Sequence, residues 1–558
     1  MNQQNLRQPT RCRCGIVSLR IFLTLGAALG VTAAAQSRPR LAVVVVVDQM
    51  RADYLDRFAR LYTGGLARLA QDGVVFDEAY HDHAVTVTSV GHATIATGCY
   101  PEHHGIVGNS WYDRPAHRKV YSCEDSTSPV IGDATLPGRS PRRLQRPAIG
   151  DWLKQMSPRS KVFAVGEKDY SPILSGGLHP DGVYWYDENN GDFVTSTYYT
   201  TRPPDWVGEF NRSGVKDRYF HEGWTKNWPE SAYATSHGDA FPNENDGVHT
   251  TFPHRFDTTG GHPDSAYYYE LPATPFGDEL LFDFARTLIQ KEGLGADSIP
   301  DLLWFDAAAT DLIGHGYGPD SPEMIDNLLR LDRTLDSLLG FLESSVGAGN
   351  YTVMLTSDHG VLPFPEDLSR QGIVGARILK KDYDTTIANA VARAAADMGI
   401  AGKLILSQSG GIFLDTTVAL DRGVAPEDLR QQVATRLRQI PFIDEVMTCN
   451  ELYAPHAVVR GYRDLYQHSF PRTLAPDLAI RLTEYTLVSE SKFGTTHGSP
   501  FAYDTHVPLI FWGAGVTTGH RVKDRVRTID AAPTLAVLLG IAPPADVDGV
   551  VLKDVLAR

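Results

Sequence analysis

The chain has 558 residues, of which 42% are hydrophobic and 21% charged, and this composition excludes disordered and fibrous proteins. Its 67 acidic residues outnumber the 52 basic ones, and the resulting formal net charge of −15 argues against nucleic-acid polymers as partners. The length allows up to three domains, or one large α/β domain that carries insertions.

Residues 1–35 predict a signal peptide that is removed from the mature protein. Four arginines lead into the apolar stretch 21–31, which is too short to span a bilayer, and the small residues Ala33, Ala34 and Ala35 follow it. An uncleaved membrane anchor is the alternative interpretation of this segment. Because no later stretch reaches membrane-spanning length, we expect residues 36–558 to form a periplasmic or secreted domain without a membrane span.

Three cysteines remain in the predicted mature chain, at positions 99, 123 and 449. In an oxidising compartment, sequence proximity favours a disulfide between Cys99 and Cys123. Free thiols are the alternative, and the sequence does not decide between the two.

Apolar strands alternate with helices along the mature chain. The run LAVVVVVDQM at 41–50 predicts a central parallel strand that is covered on both faces. Helices are predicted at 53–69 and at 321–342, where Ser321 is the expected N-cap. Further buried strands are predicted at 161–165, 301–306, 351–355 and 507–512. This alternation predicts an α/β fold with a doubly wound, mostly parallel sheet and helices on both faces.

Two stretches interrupt the alternation and predict insertions. Residues 190–275 are rich in aromatic residues, Gly, Pro, His and Asn without periodicity, which indicates an irregular cap. Residues 375–470 predict a small α+β unit. The aromatic side chains of the cap can either stack on a nucleoside or aryl group or form the core of the cap, and we favour the core. They are Trp206, Tyr219, Phe220, Trp224, Trp228, Tyr267, Tyr268 and Tyr269.

Acidic and histidine residues lie close to the ends of the predicted strands. In a doubly wound sheet, ligands bind beyond the carboxyl ends of the strands, so we expect most of these side chains to converge there. Each one alone more often caps a helix or solvates a turn, but three aspartates and three histidines together suit Zn²⁺ or a similar divalent ion. The candidates are Asp48, Asp311, His315, Asp358, His359 and His497.

Thr88 lies at the start of a short predicted helix, 89–97, that ends at Gly98. A hydroxyl at this point faces the positive end of the helix dipole, beside free backbone N–H groups that suit an anion. A metal ion bound to the hydroxyl would lower its pKa and make it a nucleophile without a histidine base. A simple N-cap is the alternative role, and the local sequence alone favours it.

Six segments in one order resemble the alkaline phosphatase superfamily. They are DQMR at 48–51, T-x-x-G-H at 88–92, GIVGNSWYD at 105–113, D-x-x-x-H at 311–315, SDHG at 357–360 and HGSPxxYDTHVP at 497–508. The resemblance runs from Asp48 to the end of the chain and is greatest to phosphate-irrepressible alkaline phosphatases with a threonine nucleophile, which are similar to nucleotide pyrophosphatases/phosphodiesterases. It implies an alkaline-phosphatase-like fold and hydrolysis of phosphate monoesters through a phosphothreonine.

The resemblance also implies two zinc ions per chain. One would be held by Asp311, His315 and His497, and the other by Asp48, Asp358, His359 and the Thr88 oxygen. Such ions would clamp the entering and leaving oxygens of an in-line displacement.

Three further positions match residues that contact the phosphoryl group in the family. Asn109 matches an asparagine whose amide contacts a phosphoryl oxygen, and Lys168 matches a lysine that reaches the phosphoryl group in the monoesterases. Tyr170 stands where the family pattern K-x-R has an arginine, so a permanent charge and a bidentate donor are lost.

We predict small-molecule phosphate monoesters as substrates, because the retained Lys168 suits a dianion. A phosphodiesterase or nucleotide pyrophosphatase is the alternative within the superfamily. A non-catalytic zinc-binding protein is the alternative from another class. The sequence leaves the oligomeric state open.

Overall fold

The computed structural model describes residues 38–256, 261–408, 410–455 and 461–557. The predicted signal peptide, residues 1–35, lies outside the described residues. Among the residues that are described, no helix combines the length and the apolar character needed to cross a bilayer.

Strands and helices alternate through most of the described chain. The strands are β1 Leu41–Val47, β2 Val74–Phe76, β3 Ala79–Tyr80, β4 Ser110–Asp113, β5 Arg118–Tyr121, β6 Val130–Ile131, β7 Val162–Gly166, β8 Gly182–Tyr186, β9 Phe193–Ser196, β10 Asp301–Ala307, β11 Tyr351–Thr356, β12 Ala376–Leu379, β13 Ile405–Ser407, β14 Phe413–Leu414, β15 Ile443–Thr448, β16 Leu478–Leu482, β17 Thr486–Ser489, β18 Leu509–Gly513, β19 His520–Val522 and β20 Val526–Arg527. The α-helices are α1 Asp53–Arg57, α2 Gly65–Asp72, α3 Thr88–Thr97, α4 Pro101–His104, α5 Ile149–Met156, α6 Tyr170–Gly176, α7 Asp205–Asn211, α8 Ser265–Glu270, α9 Pro275–Glu292, α10 Ala309–Tyr317, α11 Pro322–Leu342, α12 Pro365–Arg370, α13 Lys380–Asp397, α14 Thr417–Leu420, α15 Pro426–Leu437, α16 Cys449–Leu452, α17 Tyr462–Ser469, α18 Ala502–Thr505 and α19 Ala531–Leu538.

A ten-stranded sheet forms the centre of the fold, in the order β19-β2-β18-β11-β1-β10-β7-β8-β9-β6. The five strands from β11 to β8 are parallel to one another. Antiparallel strands flank them, with β18 paired to β11 on one side and β9 paired to β8 on the other. The predicted doubly wound, mostly parallel sheet is confirmed.

Strand β1 is apolar throughout because both of its faces are covered. Val43 and Val45 pack in one hydrophobic core, with side chains of α9 and α11. Val44 and Val46 pack in a second core, with side chains of α5 and α19. Alternate side chains of a strand point to opposite faces, so an unbroken run of valines indicates a strand with helices on both sides.

Helix α11 confirms the prediction at 321–342, and its N-cap Ser321 accepts a hydrogen bond from the Met324 N–H at 3.0 Å. The single helix predicted at 53–69 is wrong, because the chain forms α1 and α2 instead. The carboxylate of Asp332, on α11, accepts hydrogen bonds from the backbone N–H groups of Thr63, Gly64, Leu66 and Ala67. Asp332 is distant in the sequence, yet it binds the N–H groups at the start of α2. The periodicity of residues 53–69 cannot reveal such a contact.

Replacement of Asp332 by alanine should therefore lower the free energy of unfolding. The Asp332 side chain is only 2% exposed, so its removal leaves four backbone N–H donors without their acceptor. We expect the free energy of unfolding to fall by about 2–4 kcal/mol. Asp336→Ala is the matched control on the same helix, because its half-exposed carboxylate only pairs with Arg68 at the surface and should cost less than about 1 kcal/mol. Equal losses in urea unfolding would contradict the role of Asp332.

Cys99 and Cys123 are both free, buried thiols in the structure, so the disulfide is not formed. Burial raises the pKa of the Cys99 thiol to about 11, which keeps it protonated and unreactive at neutral pH.

The aromatic residues of the first predicted insertion mostly pack inside the protein. Five of the eight are buried in the core that contains Val43 and Val45, two are partly buried against it, and Tyr269 is exposed. This packing supports a structural role. In the second predicted insertion, α13, α15 and β15 share a hydrophobic core of their own. The boundaries of both insertions stay predictions.

Candidate active site

The predicted metal ligands converge at one edge of the central sheet. Asp48 directly follows β1, and one residue separates Asp358 from the end of β11. Asp311 lies on α10, just beyond β10. These three strands are neighbours and parallel, so their carboxyl ends share an edge. His497 reaches the same edge from the other direction, because it precedes β18, which runs antiparallel to β11.

Thr88 is the first residue of α3, and its side chain does not cap the helix. The N-cap position belongs to Val87, and α3 ends at Gly98, whose φ of 63° is in the left-handed region. The Thr88 hydroxyl instead lies 3.3 Å from His359 Nε2 and is almost fully buried. The N-cap role that the local sequence favoured is therefore wrong.

The three histidines share one arrangement of their ring nitrogens. Nδ1 of His315, His359 and His497 lies within 3.0 Å of a backbone carbonyl oxygen, of Thr495, Gly360 and Thr86 respectively. A carbonyl only accepts, so Nδ1 carries the proton and Nε2 of each neutral ring keeps a lone pair. A backbone partner of this kind orients the histidine ligands of metals in proteins.

Each Nε2 lone pair faces carboxylate oxygens. His315 Nε2 lies 3.2 Å and His497 Nε2 lies 3.7 Å from Asp311 Oδ1, and His359 Nε2 lies 3.5 Å from Asp48 Oδ1. Two acceptors at such a distance repel each other unless a cation lies between them. Among the residues that the structure describes, two groups of three side chains have ligand atoms within 4.8 Å of one another. They are Asp311, His315 and His497, and Asp48, Asp311 and His359.

The aspartates of the site are crowded and incompletely paired. Asp48 Oδ1 and Asp358 Oδ2 are buried without a hydrogen-bond partner. Burial and the charges of Asp311 and Asp358 raise the pKa of Asp48 well above its ordinary value. Burial also raises the pKa of Asp358, to about 6. Buried carboxylates with free lone pairs, next to imidazole lone pairs, fit divalent cations.

Lys168 follows β7 and extends into the centre of this cluster. Its Nζ lies 2.5 Å from Asp48 Oδ2 and 2.5 Å from Asp311 Oδ2. Burial disfavours the ammonium, but the charges of Asp311 and Asp48 outweigh it and raise the pKa of Lys168. A fixed positive charge therefore lies beside the metal-ligand candidates Asp48 and Asp311.

Asn109 connects to the start of α3. Its side-chain oxygen accepts a hydrogen bond from the Ser89 N–H at 2.9 Å, and its backbone carbonyl accepts from the Ser122 N–H at 3.0 Å. The first contact orients the amide, because only the oxygen can accept, and so the amide N–H₂ is the group that can donate to a ligand.

Tyr170 begins α6, next to Lys168 in a cavity of about 290 Å³. Its ring lies 5.8 Å from that of Tyr121, whose hydroxyl donates to Asp169. Burial raises the pKa of the Tyr170 phenol above its ordinary value although Lys168 lowers it, so the hydroxyl stays protonated. The structure therefore brings together every residue predicted for the site.

Two further side chains contact the metal-ligand candidates, and they were not predicted from the sequence. Gln49 donates to both Asp311 and Asp358. His92 Nε2 lies 3.2 Å from Asp306 Oδ1 and 3.8 Å from Asp358 Oδ2. Both lie in segments on which the resemblance rests, Gln49 in DQMR and His92 in T-x-x-G-H. Their place in these motifs is the sequence feature that points to them.

Comparison with known proteins identifies the family. A sequence profile described as "Type I phosphodiesterase / nucleotide pyrophosphatase" matches residues 42–408. The chain belongs to this family. Within the type I phosphodiesterase/nucleotide pyrophosphatase family, it is similar to several alkaline phosphatases over nearly its whole length.

Two relatives and one solved structure illustrate this similarity. Alkaline phosphatase PafA of Elizabethkingia meningoseptica is 32% identical, covering 93% of this chain and 95% of the relative. Alkaline phosphatase PhoV of Synechococcus elongatus is 33% identical, covering 93% of each chain. The crystal structure of wild-type PafA has a TM-score of 0.87 at 31% identity, covering 94% of this chain and 100% of that one.

These matches place the chain in the alkaline phosphatase superfamily, with the fold that the sequence predicted. The chain is a phosphatase enzyme, and its described carboxylate and histidine side chains form groups that could bind a metal ion. The alternative of a non-catalytic zinc-binding protein is set aside.

Proposed function

We propose that the chain is a secreted alkaline phosphatase that hydrolyses phosphate monoesters through a phosphothreonine at Thr88. The observation that carries the proposal is the position of the Thr88 hydroxyl, at the N-terminus of α3 and 3.3 Å from His359 Nε2. The relatives named alkaline phosphatases support the activity. The signal-like segment 1–35 supports secretion.

The donor set supports two zinc ions. Nitrogen and oxygen donors without thiolates suit catalytic zinc, which keeps open coordination positions. We assign Asp311, His315 and His497 to one ion, and Asp48, Asp358, His359 and Thr88 to the other. When bound, such ions supply Lewis-acid stabilisation of the entering and leaving oxygens and lower the pKa of a coordinated hydroxyl.

Different residues of the chain then have distinct roles in phosphoryl transfer. The Thr88 oxygen attacks phosphorus in line with the departing alcohol and forms the phosphothreonine, and water later releases inorganic phosphate and restores the hydroxyl. The non-bridging oxygens carry most of the charge in such a transition state. The amide N–H₂ of Asn109, the positive end of the α3 dipole and the Lys168 ammonium are placed to stabilise it.

Charge supports monoesters as the preferred substrates. Two divalent ions and the three aspartates leave the site with about one positive charge, and a monoester dianion gains from the additional cation Lys168. A phosphodiester has one negative charge fewer and carries a second ester group. The absence of the family arginine at Tyr170, with a cavity of about 290 Å³ beside it, favours a phosphodiesterase as the second candidate.

A comparison of two matched substrates tests whether the chain is a monoesterase or a phosphodiesterase. The measurement is kcat/KM of the zinc-loaded mature protein at alkaline pH, on an aryl phosphate and on the corresponding aryl methyl phosphodiester. We expect a large excess for the monoester. A diester excess would overturn the proposal and make the chain a phosphodiesterase.

Removal of the metal should affect stability as well as activity. We expect chelation to abolish turnover and to lower Tm, because the buried aspartates then repel one another and their free oxygens lose a partner. Zinc should restore both, whereas magnesium, a poor partner for imidazole, should not. Full activity in the chelated protein, checked for residual zinc by atomic absorption, would exclude metal catalysis.

A further inference from the structure

Gln49, directly after Asp48, has a strained backbone in the middle of the candidate metal centre. Its φ is 66°, in the left-handed region that non-glycine residues rarely adopt. Of the four non-glycine residues with positive φ in the described chain, it alone is buried, and its side chain is fully enclosed. Strain of this kind persists where the surrounding structure holds it, and it is common at functional sites.

The strained conformation lets one residue donate to two carboxylates. The Gln49 N–H donates to Asp358 Oδ1 at 3.1 Å, and its side-chain Nε2 donates to Asp311 Oδ1 at 2.5 Å. Asp311 Oδ1 is the oxygen that faces His315 and His497. At Asp358 the bond occupies Oδ1, so that Oδ2 is the oxygen left for an ion.

The side-chain oxygen of Gln49 packs against α10, the helix that carries Asp311 and His315. A Cβ at Gly314 would lie only 1.9 Å from Gln49 Oε1, so only glycine allows the helix this close. The next peptide is fixed as well, because the Met50 N–H donates to Ser357 Oγ at 2.9 Å. The turn after β1 is thus tied to both of the segments that supply the two halves of the site.

We propose that Gln49 is a positioning residue that sets the spacing between the two metal sites by holding Asp311 and Asp358 at the same time. The inference rests on the proposed two-metal site and deepens it. In this role Gln49 acts through the ligands, as partners of ligating carboxylates commonly do. The backbone strain is the cost of placing the amide and the N–H on two different carboxylates.

Gln49→Gly separates this role from a contribution to folding. Glycine adopts a positive φ without strain, and this gain opposes the loss of the buried hydrogen bond to Asp311, so the metal-free variant should melt close to the Tm of the metal-free wild type. Without the amide, zinc retention in a competition with a chelator should weaken by about 10–100-fold.

His117→Gly is the matched control. His117 is exposed, has a φ of 50° and lies between β4 and β5, so the substitution relieves similar strain away from the site. We expect it to raise or keep Tm and to leave zinc retention and turnover unchanged.

The outcomes separate this proposal from the proposed function. Wild-type zinc retention in Gln49→Gly would overturn the positioning role, and so would a fall in the metal-free Tm large enough to explain the lost zinc. Weakened zinc retention with an unchanged metal-free Tm supports the role even if the wild type proves to have no monoesterase activity, a result that would contradict only the proposed function.

Discussion

Replacement of Thr88 by alanine should lower kcat for phosphate monoesters by about 10⁴-fold or more, as expected when a covalent nucleophile is removed. The hydroxyl lies against the metal-ligand candidate His359, at 3.3 Å from its Nε2. The remaining ligand candidates do not depend on it, so the variant should keep most of its zinc. The measurement is kcat with zinc content determined on the same sample.

Thr88→Ser is the control, because serine keeps the oxygen and should retain much of the activity. Acid quenching of the wild type during turnover of a phosphorus-labelled monoester should trap label on Thr88, and neither label nor turnover should appear in the alanine variant. An unchanged rate in Thr88→Ala would exclude Thr88 as the nucleophile.

Lys168→Ala should lower kcat/KM for the aryl monoester by about 10²–10³-fold, the size of effect seen when one transition-state donor is removed. The diester should lose less than about tenfold, because its second ester group replaces the oxygen that Lys168 is placed to contact. Lys168 Nζ lies 2.5 Å from both Asp48 and Asp311, so the lysine adds a cation to the shared centre and the alanine variant removes it.

The diester is the internal control of this experiment. Damage to the metal site or to the fold would reduce both reactions together, and only the lost contact with the third oxygen separates them. Equal losses on the two substrates would show that Lys168 does not contact that oxygen.

The sequence predicted the parts of the site that depend on strand ends. The apolar run before Asp48 marked a central strand, and the parallel neighbours of that strand brought Asp311 and Asp358 to the same edge. A residue's position along the chain and the direction of its strand were sufficient for these assignments, because parallel strands share an edge. The roles of the individual residues stay proposals.

What the sequence did not predict depends on contacts between distant segments. The break between α1 and α2 arises from Asp332, which lies far along the chain and binds four N–H groups there. The left-handed conformation of Gln49 has no local signal, because glycine or asparagine would be the expected residue. The free state of Cys99 and Cys123 likewise follows from the tertiary fold and not from their spacing.

The antiparallel direction of β18 has a consequence for the order in which the protein matures. It allows His497, from a late segment of the chain, to complete a site that begins with Asp48 near its start. A nascent chain therefore lacks one histidine of the set until residue 497 has been synthesised. Metal capture at the proposed site should for this reason follow the synthesis of the segment that contains His497, and not the synthesis of the first strands of the sheet.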